Sequence, residues 1–152
     1  MRVERNTMRI LKNLLYIVAG SAITLAAQTV TTSTKYVSPN GGTELKVLLD
    51  ASNLGGSELD LGEMTFGPNL DSGEHVHGAT EIFYVLSGEL EHVVNGKSTI
   101  LKAGMVGFVR PPDKVRHKTG PNGTTKALVI WAPGGEAARI TSRWRKVEGL
   151  EK

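Results

Sequence analysis

The sequence predicts an all-β domain, a sandwich or barrel of antiparallel strands. Short apolar or alternating segments recur roughly every 8–12 residues with turn-forming residues between them, which is typical of such folds. Glycine is abundant, at 18 of 152 residues, and suits tight turns better than a helical bundle. The length allows one hydrophobic core, so we expect a single domain.

The first predicted strand begins at residue 44. The strongest hairpin signal in the sequence is Asn95-Gly96. The predicted strands are Glu44–Asp50, Glu58–Phe66, Ile82–Leu86, Glu89–Val94, Lys97–Leu101, Met105–Val109 and Lys126–Ala132. Only Glu136–Lys146 is predicted to be helical, with Ile140 and Trp144 four residues apart on one face. We expect a short helix that caps the barrel.

These segments divide the chain into four predicted parts. Residues 1–27 are a signal peptide or membrane anchor, 28–42 a linker or edge strand, 43–133 the barrel, and 134–152 a helical tail. In the first part a basic stretch precedes the apolar run LLYIVAGSAITLAA, residues 14–27. This run is shorter than the ~20 residues that span a bilayer, so it predicts export with cleavage. An uncleaved anchor and a cytosolic protein remain the alternatives.

The charge of the chain is concentrated in the same N-terminal part. Of the net +3, residues 1–27 contribute four basic residues and one acidic residue, which leaves 14 of each sign in the remainder. The predicted domain is therefore neutral overall, which argues against nucleic acid as a partner. The sequence contains no cysteine, which excludes disulfides and thiolate chemistry.

A cluster of histidine and glutamate residues carries the chemical signal. His75 and His77 lie two residues apart, so in a strand both imidazoles point to the same side. Glu81 follows four residues later, and His117 comes after a double proline. Imidazole and carboxylate ligands suit one divalent transition metal: Fe, Mn, Zn, Ni, Co or Cu. The alternative is a pair of surface histidines with an unrelated acid.

The stretch from Phe66 to Gly88 resembles the first motif of the cupin superfamily, which is Gly, five residues, His-x-His, three or four residues, Glu, six residues, Gly. His75, His77, Glu81 and Gly88 stand at its spacings. Asn69 replaces the first glycine, and asparagine is the residue most tolerant of positive φ after glycine.

The stretch from Gly104 to His117 resembles the second cupin motif. Pro112 and His117 match it, whereas Lys114 replaces its glycine. The departure affects the turn that precedes the ligand and not the ligand itself.

The resemblance implies an antiparallel jelly-roll barrel of roughly six to eight strands. It also implies that His75, His77, Glu81 and His117 line its interior as metal ligands. Four protein ligands leave open positions on a six-coordinate metal, which is a feature of catalytic centres.

Three functions agree with such a site. The first resembles the small single-domain cupin dioxygenases, with Glu81 tuning the metal and moving a proton. The second is a non-redox isomerase or lyase in which His92 shuttles the proton. The third is a non-enzymatic binder of a small molecule or sugar.

Other side chains have weaker assignments. His92 shares a strand face with Leu90 and Val94 and is a candidate acid or base, or else a rim or surface histidine. Arg110, Lys114 and Arg116 surround the His117 turn and are candidates for binding an anionic substrate, or else form a solvated basic loop.

The alternation along the strand after Glu81 predicts that Phe83 and Val85 point into the barrel and that Tyr84 points the other way, into packing. We expect a homodimer that pairs through open sheet edges, with Thr34–Val37 as the exchangeable edge strand.

Overall fold

The computed structural model describes residues 33–147 and confirms the all-β prediction. The predicted leader, residues 1–27, lies outside the described residues. The strands are β1 Thr34–Val37, β2 Thr43–Leu49, β3 Asp60–Phe66, β4 His75–Val76, β5 Thr80–Ser87, β6 Glu89–Val94, β7 Lys97–Lys102, β8 Val106–Val109, β9 Lys114–Lys118, β10 Thr125–Ala132 and β11 Arg145–Val147. The helices are α1 Ala51–Leu54 and α2 Glu136–Thr141. Neither helix has the length and apolar character that a bilayer crossing needs.

The strands form two antiparallel sheets. One has the order β11-β1-β2-β3-β10-β5-β8, and the other has the order β4-β9-β6-β7. Side chains from both sheets, such as Trp131 from β10 and Leu90 from β6, belong to one buried hydrophobic cluster. The core therefore lies between the sheets, as expected for a jelly-roll barrel.

Strand β5 shows how alternation directs side chains toward this core. Phe83 and Val85 are fully buried, as predicted. Tyr84 points to the opposite side, also as predicted, but it is 45% exposed and does not enter packing within the described chain. The expectation that it is packed is therefore wrong for the isolated chain.

Strand β1 is not the edge strand that the sequence suggested. It pairs with β2 on one side and with β11 on the other, for example Tyr36 with Leu45 and with Lys146. Strand β11 is the edge strand instead. Its backbone hydrogen-bonding groups pair with those that β1 would otherwise leave unpaired.

The C-terminal helix is shorter than predicted. It ends at Thr141, whose hydroxyl donates back to the carbonyl of Ala137, and residues 145–147 form strand β11 instead. Pairing with β1 outweighs the weak helical preference of so short a segment. Ile140 and Trp144 still pack against the core, as the pattern predicted.

A buried aspartate fixes the start of α2. Gly135 at the N-terminus of the helix supplies no side chain, and Asp60 of β3 caps the helix from across the fold. Its Oδ2 accepts hydrogen bonds from the N–H groups of Gly135 and Ala137, both at 2.8 Å, and the residue is 2% exposed.

We therefore expect Asp60→Ala to destabilise the fold by about 2–3 kcal/mol, since it leaves buried N–H donors unpaired. Chemical denaturation measures the effect. Asp50 caps the exposed helix α1, so Asp50→Ala is the matched control and should cost only about 1 kcal/mol. Equal losses in the two variants would argue against a special role for Asp60.

Candidate metal centre

The predicted ligands come from both sheets. His75 lies in β4, which pairs with β9, and His77 follows directly after β4. Glu81 lies near the start of β5, and His117 lies in β9. His77, Glu81 and His117 are buried, and His75 is partly exposed.

The structure brings all four side chains to one place. The Nε2 atoms of His75 and His77 are 3.2 Å apart. Glu81 Oε2 lies 3.0 Å from His77 Nε2 and 3.8 Å from His117 Nε2. Ligand atoms ~2.1 Å from one ion, at right angles to each other, are about 3.0 Å apart. The separations are therefore of the size that a shared ion requires.

The polar atoms at this point give a test of whether a metal fits. Within residues 33–147, no group of three or more His, Asp or Glu side chains has a geometry that could hold a metal ion as it stands. At this site the donor atoms contact one another directly, as in the His75–His77 and His77–Glu81 pairs. His117 Nε2 is nonetheless buried without a hydrogen-bond partner, and Glu81 Oε2, 3.0 Å from His77 Nε2, receives no hydrogen bond while His77 carries its proton on Nδ1 toward Glu136. Buried polar atoms are rarely left unpaired. An imidazole nitrogen and a carboxylate oxygen that lie 3.8 Å apart are donor types that a divalent transition metal accepts. That these residues bind one stays a prediction.

Burial controls the charge of His117. Burial of its ring holds the pKa of His117 well below the usual value, and the nearby histidines His92, His75 and His77 lower it further by charge repulsion. A neutral imidazole keeps the lone pair on Nε2 that a metal ligand needs. The Ser72 hydroxyl accepts a hydrogen bond from the backbone N–H of His117 at 2.9 Å and so fixes its strand at this point.

His77 has a different environment because two carboxylates flank its ring. Burial lowers its pKa, but Glu81 and Glu136 outweigh that effect, and the net pKa is raised. Its Nδ1 donates to Glu136 Oε1 at 2.8 Å, which leaves Nε2 on the side of His75 and Glu81. The hydrogen bond thus sets both the ring orientation and the tautomer suited to binding a metal through Nε2.

Sequence reasoning missed Glu136. The residue begins α2 and is 4% exposed, with its carboxylate bound by His77, by Arg139 and by the backbone N–H of Gly78. Burial raises the pKa of Glu136, but the contacts with Arg139 and His77 together outweigh burial, so the pKa lies below its usual value. Its separation of 59 residues from His77 hides the contact from any local motif.

Trp131 was also missed. Its Nε1 donates to Glu81 Oε1 at 2.8 Å, which fixes the carboxylate and leaves Oε2 toward the histidines. Trp131 and Glu81 are direct partners in the β10–β5 pairing. A correct strand pairing would therefore have revealed this contact.

His92 is buried at 5% exposure, so it is not the rim or surface histidine that was the alternative. It pairs with His117 across β6 and β9, and the two rings stack at 5.3 Å. Its Nε2 contacts the carbonyl of Phe108, and burial lowers its pKa. It does not line the cavity described below. His92 therefore has no direct contact with that cavity, and its role in proton transfer stays a prediction.

The basic residues around the His117 turn have other partners. Lys114 pairs with Glu74, Arg116 with Asp71, and Arg110 lies over the Phe108 ring. The bond to Arg116 lowers the pKa of Asp71 to about 2. None of the three lines the cavity beside the histidines.

The turn residues that depart from the motifs are accommodated. Asn69 has φ 55°, the left-handed conformation expected where it replaces glycine. Lys114 begins β9 and its side chain faces solvent, so the lost glycine does not displace His117.

A cavity of about 290 Å³ opens beside the candidate ligands. Most of its lining surface is apolar, and three of the apolar lining residues are Phe or Trp. The apolar lining residues are Met64, Phe66, Val76, Phe83, Ile140 and Trp144. A space of this size suits a small organic molecule.

Comparisons with known proteins agree with this architecture. The profile described as "Cupin domain" matches residues 62–133. No curated protein is significantly similar to the chain in sequence.

Solved structures share the fold. The EutQ protein of Clostridium difficile is 18% identical, with a TM-score of 0.55 over 64% of this chain and 66% of its own, slightly under two thirds of its length. A predicted oxalate decarboxylase of Thermotoga maritima is 24% identical, with a TM-score of 0.58 over 70% and 99%. The polyketide cyclase RemF of Streptomyces resistomycificus is 24% identical, with a TM-score of 0.59 over 69% and 78%. At these identities the likeness establishes the fold alone.

Proposed function

We propose that this chain, whose residues 62–133 match the cupin domain profile, is a metal-dependent enzyme with dioxygenase-like activity on a small organic molecule. His75, His77, Glu81 and His117 would hold one divalent transition metal. The observation that carries the proposal is the pair of unpartnered buried atoms, Glu81 Oε2 and His117 Nε2, beside an apolar cavity.

The protein's own contribution is to prepare the ligands. Burial keeps His117 neutral, Glu136 orients His77, and Trp131 holds one oxygen of Glu81. Groups oriented in this way lose little conformational freedom when a metal binds, which supports the proposed metal centre.

A redox-active metal would supply the activation of O₂, which protein side chains cannot provide. The chain would bind the substrate against the apolar walls and exclude water from it. Glu81 lines the cavity and would both hold the metal and take a proton from the substrate, whereas His92 lies outside the cavity. Because a dioxygenase delivers both oxygen atoms to its product, the substrate itself supplies the electrons.

Oxygen consumption tests this proposal. Protein reconstituted with Fe²⁺ should consume O₂ with a bidentate oxygen probe such as catechol or pentane-2,4-dione, and both atoms of ¹⁸O₂ should enter the product. The His77→Ala variant is the background control. Protein that retains only zinc and consumes no O₂ after iron loading would contradict the proposal. Product formed with Zn²⁺ under anaerobic conditions would favour an isomerase or lyase, and tight binding without turnover would favour a non-enzymatic binder.

We also propose a homodimer, formed through the outward face of the large sheet. Tyr84 and Leu86 of β5 lie beside Val106 and Phe108 of the edge strand β8, and all four are 41–57% exposed. They leave on the order of 400 Å² of apolar surface, within the range of functional patches and half of a standard interface side. A second copy, related by a twofold axis, would cover this face and complete the β8 edge.

Light scattering after size exclusion measures the oligomeric state. The wild-type protein should be a dimer, and Val106→Lys should convert it to a monomer. Ile100→Lys changes an apolar residue of the other sheet that is 47% exposed, against 57% for Val106, and it should leave the dimer intact. A monomeric wild-type protein at micromolar concentration would contradict the proposed interface.

Export remains part of the proposal. It is supported by the basic stretch and apolar run within residues 1–27. The mass of the mature protein recovered from its native cells would show whether this segment is removed.

A further inference from the structure

Arg139 is the charged residue of the cavity that is not a candidate metal ligand. Apart from His75, His77, Glu81 and His117, the lining consists of uncharged side chains and this one guanidinium group. The basic residues of the His117 turn, which the sequence suggested for binding an anion, lie elsewhere and have acidic or aromatic partners.

Arg139 lies at the boundary between the cavity and an outer groove. Its side chain is 55% exposed, and it borders both spaces. Ile140 and Trp144 also line both spaces. The guanidinium is therefore open to solvent while it forms part of the cavity wall.

Arg139 is held in place but retains hydrogen-bonding capacity. Its Nε donates to Glu136 Oε2 at 2.9 Å and its Nη2 to Glu136 Oε1 at 2.5 Å. An arginine carries five N–H donors, so the contacts within the described chain use two of them. The pair with buried Glu136 fixes one edge of the planar group and leaves the other edge for a ligand.

The charges around the site would favour an anion once a divalent metal is bound. With the histidines counted as neutral, the formal charges of Glu81, Glu136 and Arg139 sum to −1. A bound divalent cation would change that sum to +1. An apolar cavity with a net positive charge binds an anion with an apolar body more favourably than a neutral molecule of the same shape.

We propose that Arg139 is a specificity-determining residue that selects a small monoanionic substrate, such as a carboxylate with an aromatic or aliphatic body. The inference rests on the proposed function, because it names the substrate class of the same cavity. The contact between Arg139 and the anion does not itself require the metal. Arg139 would hold the anionic group through its free guanidinium edge while the apolar walls pack against the rest of the molecule.

The test compares two probes of the same shape and different charge. Isothermal titration measures the binding of benzoate and of benzamide to the full protein, once loaded with Zn²⁺ and once treated with a chelator. The wild-type protein should bind benzoate about tenfold more tightly than benzamide. Arg139→Gln should lose about tenfold in benzoate affinity and leave benzamide unchanged.

Two further variants separate recognition from structure. Arg139→Lys keeps the charge and should retain part of the preference for benzoate. Arg143→Gln removes an exposed arginine that borders the groove and not the cavity, and it should behave as wild type. Equal losses for both probes in Arg139→Gln, or no preference for benzoate in the wild-type protein, would overturn the inference.

The two metal states distinguish this inference from the proposed function. A charge preference that depends on Arg139 in chelated protein, with no metal bound under any condition, would uphold the inference and contradict the metal centre. Metal binding with a benzoate preference that Arg139→Gln does not change would uphold the metal centre and overturn the inference.

Discussion

His117→Ala should abolish stoichiometric metal binding. The residue is 3% exposed, and its Nε2 makes no hydrogen bond in the described chain. Removal of one of the four proposed ligands is expected to lower metal affinity by at least ~100-fold. Competition with a chelator of known affinity measures the loss.

His92 offers a matched control for that experiment. It is another buried histidine, on the paired position of the neighbouring strand, but it lies outside the cavity. His92→Ala should retain metal with affinity within about tenfold of the wild-type protein. If His92→Ala lost the metal and His117→Ala kept it, the ligand assignment would have to be exchanged between these two strands.

Glu136→Ala should have the next largest effect, although Glu136 is not a ligand. Without its carboxylate, the His77 ring loses the acceptor for Nδ1 and can rotate or change tautomer. We expect metal affinity to fall about 10- to 100-fold, as for other residues that orient a ligand. Glu136→Gln should recover part of the loss, because an amide oxygen still accepts the hydrogen bond.

The control for this variant is Glu44→Ala, which removes an exposed carboxylate paired with Lys35. It should leave metal affinity unchanged. An unchanged affinity in Glu136→Ala would mean that the β4–β9 frame alone orients His77, and the role assigned to Glu136 would be wrong.

The sequence was sufficient for much of the fold because alternation and turn chemistry are local signals. Asn95-Gly96 predicted the β6–β7 hairpin, and Glu81, Phe83 and Val85 were correctly placed on one face of β5. Each prediction depended on a few neighbouring residues, and the burial of a single sheet face enforces it.

The elements that were wrong depend on distant pairing. Residues 145–147 have no strong strand pattern and become β11 because β1 offers an open edge. The edge assignment of β1 failed for the same reason. Contacts between the two ends of the chain leave no mark on either local sequence.

The same limit applies to the site. The predicted ligands were found by residue type and spacing, and the structure brings them together. The residues that orient them, Glu136 and Trp131, lie 59 and 50 positions from the ligands that they contact. Arg139 was missed in favour of three basic residues close to His117 in sequence, because proximity along the chain does not decide which side chains line a cavity.

The most direct test of the metal centre is elemental analysis of protein purified from its native source without added metal. We expect about one divalent transition-metal ion per chain in the wild-type protein and essentially none in His77→Ala. Protein that is free of transition metal, and that remains so after incubation with Fe²⁺, Mn²⁺ or Zn²⁺, would contradict the proposed metal centre.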